Sequence, residues 1–260
     1  MKDHISPSQI GMWKKCPRQW AYAYIDGLRL PPGGAQHLGS SFHKAAEAQN
    51  AQKVTTKTDL PVDELQDRYS EHFRSIPESE IKWEDESPTK VYDDGAALVG
   101  LFAVTAAPRT QPTHVEQRVT IPTDTLPIVC VMDVVTEDGV RDYKTKGKAP
   151  SAGEADSSEQ LTAYTAAHDF AFGHPPSKVV LDFFVRPSKT KPTGFHDSQE
   201  SRRTAGQVSI WLDDAKAVVS QMAHAADTGL FPYAPGDSWA CSKKFCGYFD
   251  ICPGGAKRHG

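Results

Sequence analysis

Two acidic residues and a lysine in the middle of the chain have the types and spacing to do chemistry. Asp133 stands inside the apolar run Pro127-Ile128-Val129-Cys130-Val131-Met132-Asp133-Val134-Val135, and Asp142-Tyr143-Lys144 follows shortly after. Alternate residues of a strand share a face, so Asp142 and Lys144 present a carboxylate and an ammonium side by side. A carboxylate in so apolar a run is costly unless it is paired or bound to a cation. If residues 127–135 and 140–145 pair as a hairpin across the turn Glu137-Asp138-Gly139, the two acids converge at one edge of a sheet. Oxygen ligands of this kind suit Mg²⁺ or Mn²⁺. Either feature alone is ordinary: Asp133 could be a hydrogen-bonded structural residue, and Asp-x-Lys arises by chance. Their combination on adjacent strands carries the information.

A second set of ligand-type residues lies at the chain ends. Cys16 sits in Lys15-Cys16-Pro17, while Cys241, Cys246 and Cys252 fall within twelve residues near the end, spaced Cys-x4-Cys-x5-Cys. Four thiols without a histidine among them suit a single Cys₄ centre, either zinc or iron–sulfur, which would fasten the two termini together. Cys130 lies in the apolar run and reads as a small buried side chain. His168, His174, His196, His224 and His259 show no ligand spacing and read as structural or exposed.

Composition narrows the setting. At 260 residues, 38% hydrophobic and 24% charged, the chain has the make-up of an ordinary globular protein with a substantial core. No apolar stretch reaches the roughly 18 residues that span a bilayer, and Met1-Lys2-Asp3-His4 lacks the order of a secretory signal. A cytoplasmic location follows as the expectation, where cysteine clusters more often bind metal than form disulfides. The net charge of −4 argues against wholesale coating of nucleic acid, but not against a local basic groove. Lys144, Lys146 and Lys148 are such a cluster beside the acids, with Lys146 and Lys148 expected in a loop as phosphate contacts.

The elements that must position these groups follow from periodicity. Ser6-Pro7-Ser8-Gln9 opens a helix over 7–25, with Ser6 as cap, Gln9 in the capping-box position and a break near Cys16-Pro17. Helices are expected over 37–52, 62–74 and 90–107, with an acidic linker at 77–89, so that 53–110 reads as a helical insertion. The period then changes to strands at 115–121, 127–135 and 140–145. A mobile loop at 146–158 precedes a helix at 158–172, and a strand at 178–186 precedes a polar loop or ribbon. A helix at 208–228 closes the core, which spans 111–229. Gln160 and Tyr164, four apart, share a helix face, and His43 lies early on its helix.

In order along the chain, His43, Asp133, Asp142-x-Lys144 and Gln160-x-x-x-Tyr164, flanked by one Cys and three, resemble the PD-(D/E)XK nuclease superfamily. The pattern is most similar to its RecB/AddB-like iron–sulfur exonuclease branch, with CRISPR-associated and bacteriophage relatives. The resemblance runs from Ser6-Pro7-Ser8 to Cys252-Pro253 and implies an α/β fold: a restriction-endonuclease-like mixed sheet flanked by helices, in one domain over 1–260. In it, residues 1–30 and 230–260 would form the cluster subdomain. It further implies that His43, Asp133, Asp142 and the Tyr143 carbonyl hold Mg²⁺ or Mn²⁺ and that Lys144 is the catalytic lysine. Gln160 and Tyr164 would line the site and contact DNA, and Cys16, Cys241, Cys246 and Cys252 would hold a structural 4Fe-4S cluster. Many such proteins space the first two of the terminal cysteines as Cys-x2-Cys, a departure here that bears on cluster type.

The implied activity is metal-dependent hydrolysis of DNA ends or single strands, in recombination, repair or CRISPR-type processing, with protein partners from those pathways. Two readings compete. A non-catalytic DNA-binding accessory protein would tend to lose one of Asp133, Asp142 and Lys144. A zinc-bearing interaction module leaves His43 and Gln160-x-x-x-Tyr164 unexplained. Glu116, on the preceding strand, is a weaker site candidate with no motif behind it, and a surface salt bridge is its more ordinary role.

Overall fold

Apolar residues at helical spacing up to residue 107, and alternation after 112, give two kinds of element in succession. A computed structural model describes residues 3–255; the expectations for Met1, Lys2 and His259 lie outside the described residues. The helices are α1 (Pro7–Lys15), α2 (Pro17–Tyr24), α3 (Gly34–Thr56), α4 (Val62–Ser75), α5 (Pro88–Thr105), α6 (Glu159–Phe172) and α7 (Ala205–Thr228). The strands are β1 (Pro112–Ile121), β2 (Ile128–Thr136), β3 (Gly139–Lys146), β4 (Lys178–Val185) and β5 (Phe195–Ser201). Among the described residues no helix is long and apolar enough to cross a membrane.

The five strands form one mixed sheet in the order β1-β2-β3-β4-β5. β2 and β3 are the antiparallel hairpin, with Val134 opposite Arg141. β3 and β4 run parallel, with Asp142 beside Leu181 and Lys144 beside Phe183. A parallel pair needs a crossover, and α6 provides it. β5 pairs antiparallel with β4 along its whole length, Asp182 facing Ser198. The sequence expectation there is a polar loop or ribbon. As the last strand of the order, β5 can carry a sequence as polar as His196-Asp197-Ser198-Gln199-Glu200, because β4 supplies its pairing and no apolar alternation is needed.

The chain divides into two compact units, one comprising Pro31–Arg118 and Val131–Thr204, the other Met1–Leu30, Val119–Cys130 and Ala205–Gly260. In the first, α3, α4 and α5 pack around Leu38, Phe42, Leu65, Tyr69 and Phe102, joined by Tyr143 and Phe184 from the sheet. Gly95 sits inside α5, where glycine costs about 1 kcal/mol relative to alanine. A Cβ there would stand 2.0 Å from the Tyr69 hydroxyl, so the close approach of α4 and α5 requires it.

In the second unit Ser6 caps α1 by accepting the Gln9 N–H at 3.3 Å, and Pro7 takes the first helical position. Gln9 does not complete a capping box. Its buried side chain accepts the Trp20 indole N–H at 3.1 Å instead, satisfying a donor that aromatic packing would otherwise strand. Trp13 and Trp20 meet edge to face at 5.4 Å, Phe231 lies 6.4 Å from Trp13, and Tyr22 lies 5.2 Å from Tyr248. Aromatic contact thus joins the two ends of the chain within this unit.

Candidate active site

The hairpin of β2 and β3 brings the two acids together. The Tyr164 hydroxyl lies 3.4 Å from Asp133 Oδ1 and 3.3 Å from Asp142 Oδ1, so both carboxylates reach one group on α6. The Tyr143 N–H donates to Asp133 Oδ2 at 3.4 Å. Lys144, two residues on from Asp142 and on the same strand face, places its Nζ 2.8 Å from Asp142 Oδ2 and 3.1 Å from Oδ1. From α6, Gln160 Nε2 donates to Asp142 Oδ1 at 2.8 Å and to the Tyr164 hydroxyl at 2.7 Å. From α3, His43 Nδ1 lies 3.4 Å from Asp133 Oδ2. The Tyr143 carbonyl accepts a hydrogen bond from the same imidazole, while the Tyr143 ring is buried among Phe102 and Phe184. All seven residues assigned to this site from the sequence are therefore neighbours.

The electrostatics follow from burial. Asp142 is fully buried, and that burial, together with the adjacent Asp133, pushes its pKa up to about 6 against the opposing pull of Lys144. Asp133 is also raised, first by burial, with Lys144, the Tyr143 N–H and Tyr164 acting the other way. His43 is lowered by burial, more than Asp142 raises it, which keeps the imidazole neutral at pH 7. Two carboxylates that share one lysine are short of positive charge.

Glu116 lines one cavity with His43, Glu47, Asn50 and Asp133. Partial burial, then Asp133 and Glu47, push its pKa up to about 7. Its backbone is left-handed, φ 49°, which is uncommon for a residue other than glycine. Glu116, the weaker candidate of the sequence, stands beside the acids while its residue remains exposed. Glu47 and Asn50 carry no motif, but helical spacing from His43 puts Glu47 one turn further along the same face. Lys146 belongs to the end of β3 rather than to a loop.

The sequence matches the PD-(D/E)XK nuclease superfamily over residues 4–253. The chain belongs to that superfamily. No curated protein matches it in sequence. Among solved structures it is similar to a protein from Eubacterium rectale named "Putative exonuclease", with a TM-score of 0.60 and 8% identity over 92% of this chain and 87% of that one. It is also similar to SSO0001, with a TM-score of 0.44 and 14% identity over 98% of this chain and 88% of that one. At 8% identity the likeness to the first is one of fold. Superfamily and fold together make this a nuclease-type hydrolase with DNA as the implied substrate, and the superfamily typically uses divalent metals such as Mg²⁺ or Mn²⁺.

Among the described residues no group of three or more His, Cys, Asp and Glu side chains is already arranged to hold a metal ion. The donor set of this superfamily member nevertheless fits a hard cation. Asp142 Oδ2 is buried and accepts no directed hydrogen bond even with Lys144 beside it, and Asp133 and the Tyr143 carbonyl add further oxygens.

In the other unit, Cys16, Cys241, Cys246 and Cys252 line a single cavity, walled by Tyr22 and Phe249. Burial raises the Cys246 thiol and the neighbouring Cys16, Cys252 and Cys241 add to it, while the Tyr248 N–H opposes both. The Tyr22 hydroxyl is hydrogen-bonded to Cys252. Cys130 is fully buried apart from them, its thiol pushed up to about 12 by burial.

Proposed function

We propose that this superfamily member is a metal-dependent DNA exonuclease, acting on DNA ends or single strands and carrying a structural 4Fe-4S cluster. The observation that carries the hydrolytic reading is the sharing of one Tyr164 hydroxyl by Asp133 and Asp142, with Lys144 2.8 Å from Asp142. A fully buried Asp142 and a half-buried Asp133, both with raised proton affinity, and a single ammonium form a site that favours added positive charge.

Asp133, Asp142, His43 and the Tyr143 carbonyl would hold a divalent ion. Once bound, such an ion supplies activation of water and neutralisation of charge on the phosphoryl group. Gln160 and Tyr164 fix the rotamer of Asp142 by hydrogen bonds to Oδ1 and leave Oδ2 for ligation. Lys144, about 38% exposed, can turn from Asp142 toward a phosphate and stabilise charge that builds in the transition state. The neutral His43 has a nitrogen lone pair to offer as a ligand.

The gathering of four thiols around one cavity supports the cluster. It would tie Cys16 to the C-terminal cysteines and serve structure rather than turnover. A cytoplasmic role in recombination, repair or CRISPR-type processing fits this activity.

End-labelled single-stranded and duplex DNA incubated with Mn²⁺ or Mg²⁺ tests the reading. Degradation from ends that stops in EDTA is expected, and DNA left intact under all metals would refute it. Anaerobically purified protein should be brown and contain iron and sulfide. A colourless, zinc-loaded protein would replace the cluster by a Cys₄ zinc site without touching the hydrolytic proposal.

A further inference from the structure

One cleft beside Lys144 has no part in the chemistry above. Lys144 and Lys146 from β3 form one side, Glu154, Ser157 and Ser158 the other, and Phe183 of β4 contributes to the floor. It encloses about 350 Å³, enough for a nucleotide-sized group. Alternate strand residues project on one face roughly 6–7 Å apart, so the two ammonium stems are spaced much like successive phosphates of a single strand. Ser158 is the cap of α6 and accepts the Leu161 N–H, which brings the N-terminus of that 14-residue helix to the cleft wall.

Lys146 is occupied. Its Nζ is 2.7 Å from each oxygen of Glu154 and 5.0 Å from the centre of the Phe183 ring. Glu154 also accepts the Ser151 N–H at 3.2 Å, which holds the carboxylate in place. Both side chains keep about a third of their surface in solvent, 30% for Lys146 and 33% for Glu154, so a competing anion can reach the pair. Solvent screens a half-buried ion pair of this kind, which leaves it open to exchange for a phosphate contact.

Resting on the nuclease reading of the adjoining acids, we infer that this cleft receives the phosphate next to the scissile one. Lys146 is its anchor, and Glu154 is a built-in competitor that the DNA strand must displace. A strand already held at Lys144 presents its next phosphate at high effective concentration and wins the exchange. A mononucleotide or free phosphate lacks that second hold and loses it. Glu154 therefore favours chains over monomers and re-closes on Lys146 as a monomer leaves.

The test is fluorescence anisotropy of 5′-labelled oligothymidylate with the full-length protein in EDTA, over a series of salt concentrations. It compares wild type, Glu154→Gln, Lys146→Met and the double variant. Glu154→Gln should bind roughly three- to tenfold tighter, since it frees one ammonium for phosphate. Lys146→Met should bind more weakly, with the salt slope reduced by about 0.7, the value for one phosphate contact on a single strand. In the Lys146→Met background the gain from Glu154→Gln should vanish. A structural role for the pair predicts no gain in affinity from either change, so tighter binding by Glu154→Gln cannot arise from misfolding. Unchanged affinity in Glu154→Gln, or an unchanged salt slope in Lys146→Met, overturns the inference while leaving the nuclease reading intact. A wild-type protein that binds no DNA either in EDTA or in Ca²⁺ would overturn both.

Discussion

Asp142 and Asp182 are both fully buried and lie on neighbouring strands of one sheet, yet their proton affinities shift in opposite directions. At Asp182 burial favours protonation, but His196, Arg141 and Ser198 outweigh it and lower the pKa. Arg141 forms an ion pair with one oxygen, and His196 Nε2 stands 2.8 Å from the other. At Asp142 burial and the second acid, Asp133, win over a single partly exposed lysine. The difference teaches how to separate structure from chemistry among buried acids. A carboxylate whose charge is met on both oxygens holds strands together, whereas a pair left short of positive charge is poised to take up a cation or a proton.

The largest expected effect that would break this contrast is on turnover. Lys144→Ala should lower the rate of DNA hydrolysis roughly 10²- to 10³-fold, in the range for removal of a transition-state charge partner, with melting little changed. Single-turnover digestion together with a thermal melt would check it, and wild-type rates would place the chemistry elsewhere. Next comes stability at the other acid. Asp182→Asn should cost about 3–5 kcal/mol, because it leaves Arg141 buried without its partner. Urea denaturation measures this, and a loss below about 1 kcal/mol would mean the triad is not structural.

A smaller effect separates the two acids by pH. The folded-state pKa of Asp142 is raised to about 6 from an ordinary value near 3.9, so between about pH 4 and 6 the folded chain holds more protons than the unfolded one. That acid makes the protein less stable as pH rises through this window, and Asp142→Asn should flatten the slope. Asp182, with its pKa lowered, works in reverse: its contribution is present above about pH 4 and is lost as pH falls below. Urea melts at pH 4.5 and 7 for the Asp142→Asn variant and wild type would show the first effect. Identical slopes would count against the electrostatic distinction. Smallest of all, Tyr164→Phe removes one shared hydrogen bond, worth about 1 kcal/mol, and should slow hydrolysis by no more than about tenfold. A larger loss would give the hydroxyl a direct part in the reaction.

How much of this was legible in the sequence depended on period and motif. The helices and the first four strands were readable because their apolar residues recur at 3.6 or 2, and Asp142-x-Lys144 fell on one strand face by geometry alone. β5 was not readable, since an edge strand paired on one side needs no apolar alternation. Gln9 looked like a capping residue because local spacing cannot show the Trp20 indole packed over it. Glu116, on β1, was legible only as a weaker candidate, because no motif marks it. Glu47 and Asn50 escaped assignment for a related reason: they meet Asp133 only through the packing of α3 against the sheet, and nothing in the chain but the four-residue step from His43 to Glu47 records it. The contrast between Asp142 and Asp182 was only half legible: Asp142-x-Lys144 marked the first, whereas Asp182 is an aspartate in an apolar strand, and only the third dimension gives it Arg141 and His196.

The most direct measurement is digestion of end-labelled DNA with Mn²⁺ by Asp142→Asn and Asp182→Asn, each paired with its melting curve at pH 7 in EDTA. The account predicts that Asp142→Asn loses hydrolysis while melting at or above the wild-type temperature. It predicts that Asp182→Asn melts several degrees lower but still cleaves wherever it is folded. Wild-type cleavage by Asp142→Asn would contradict it.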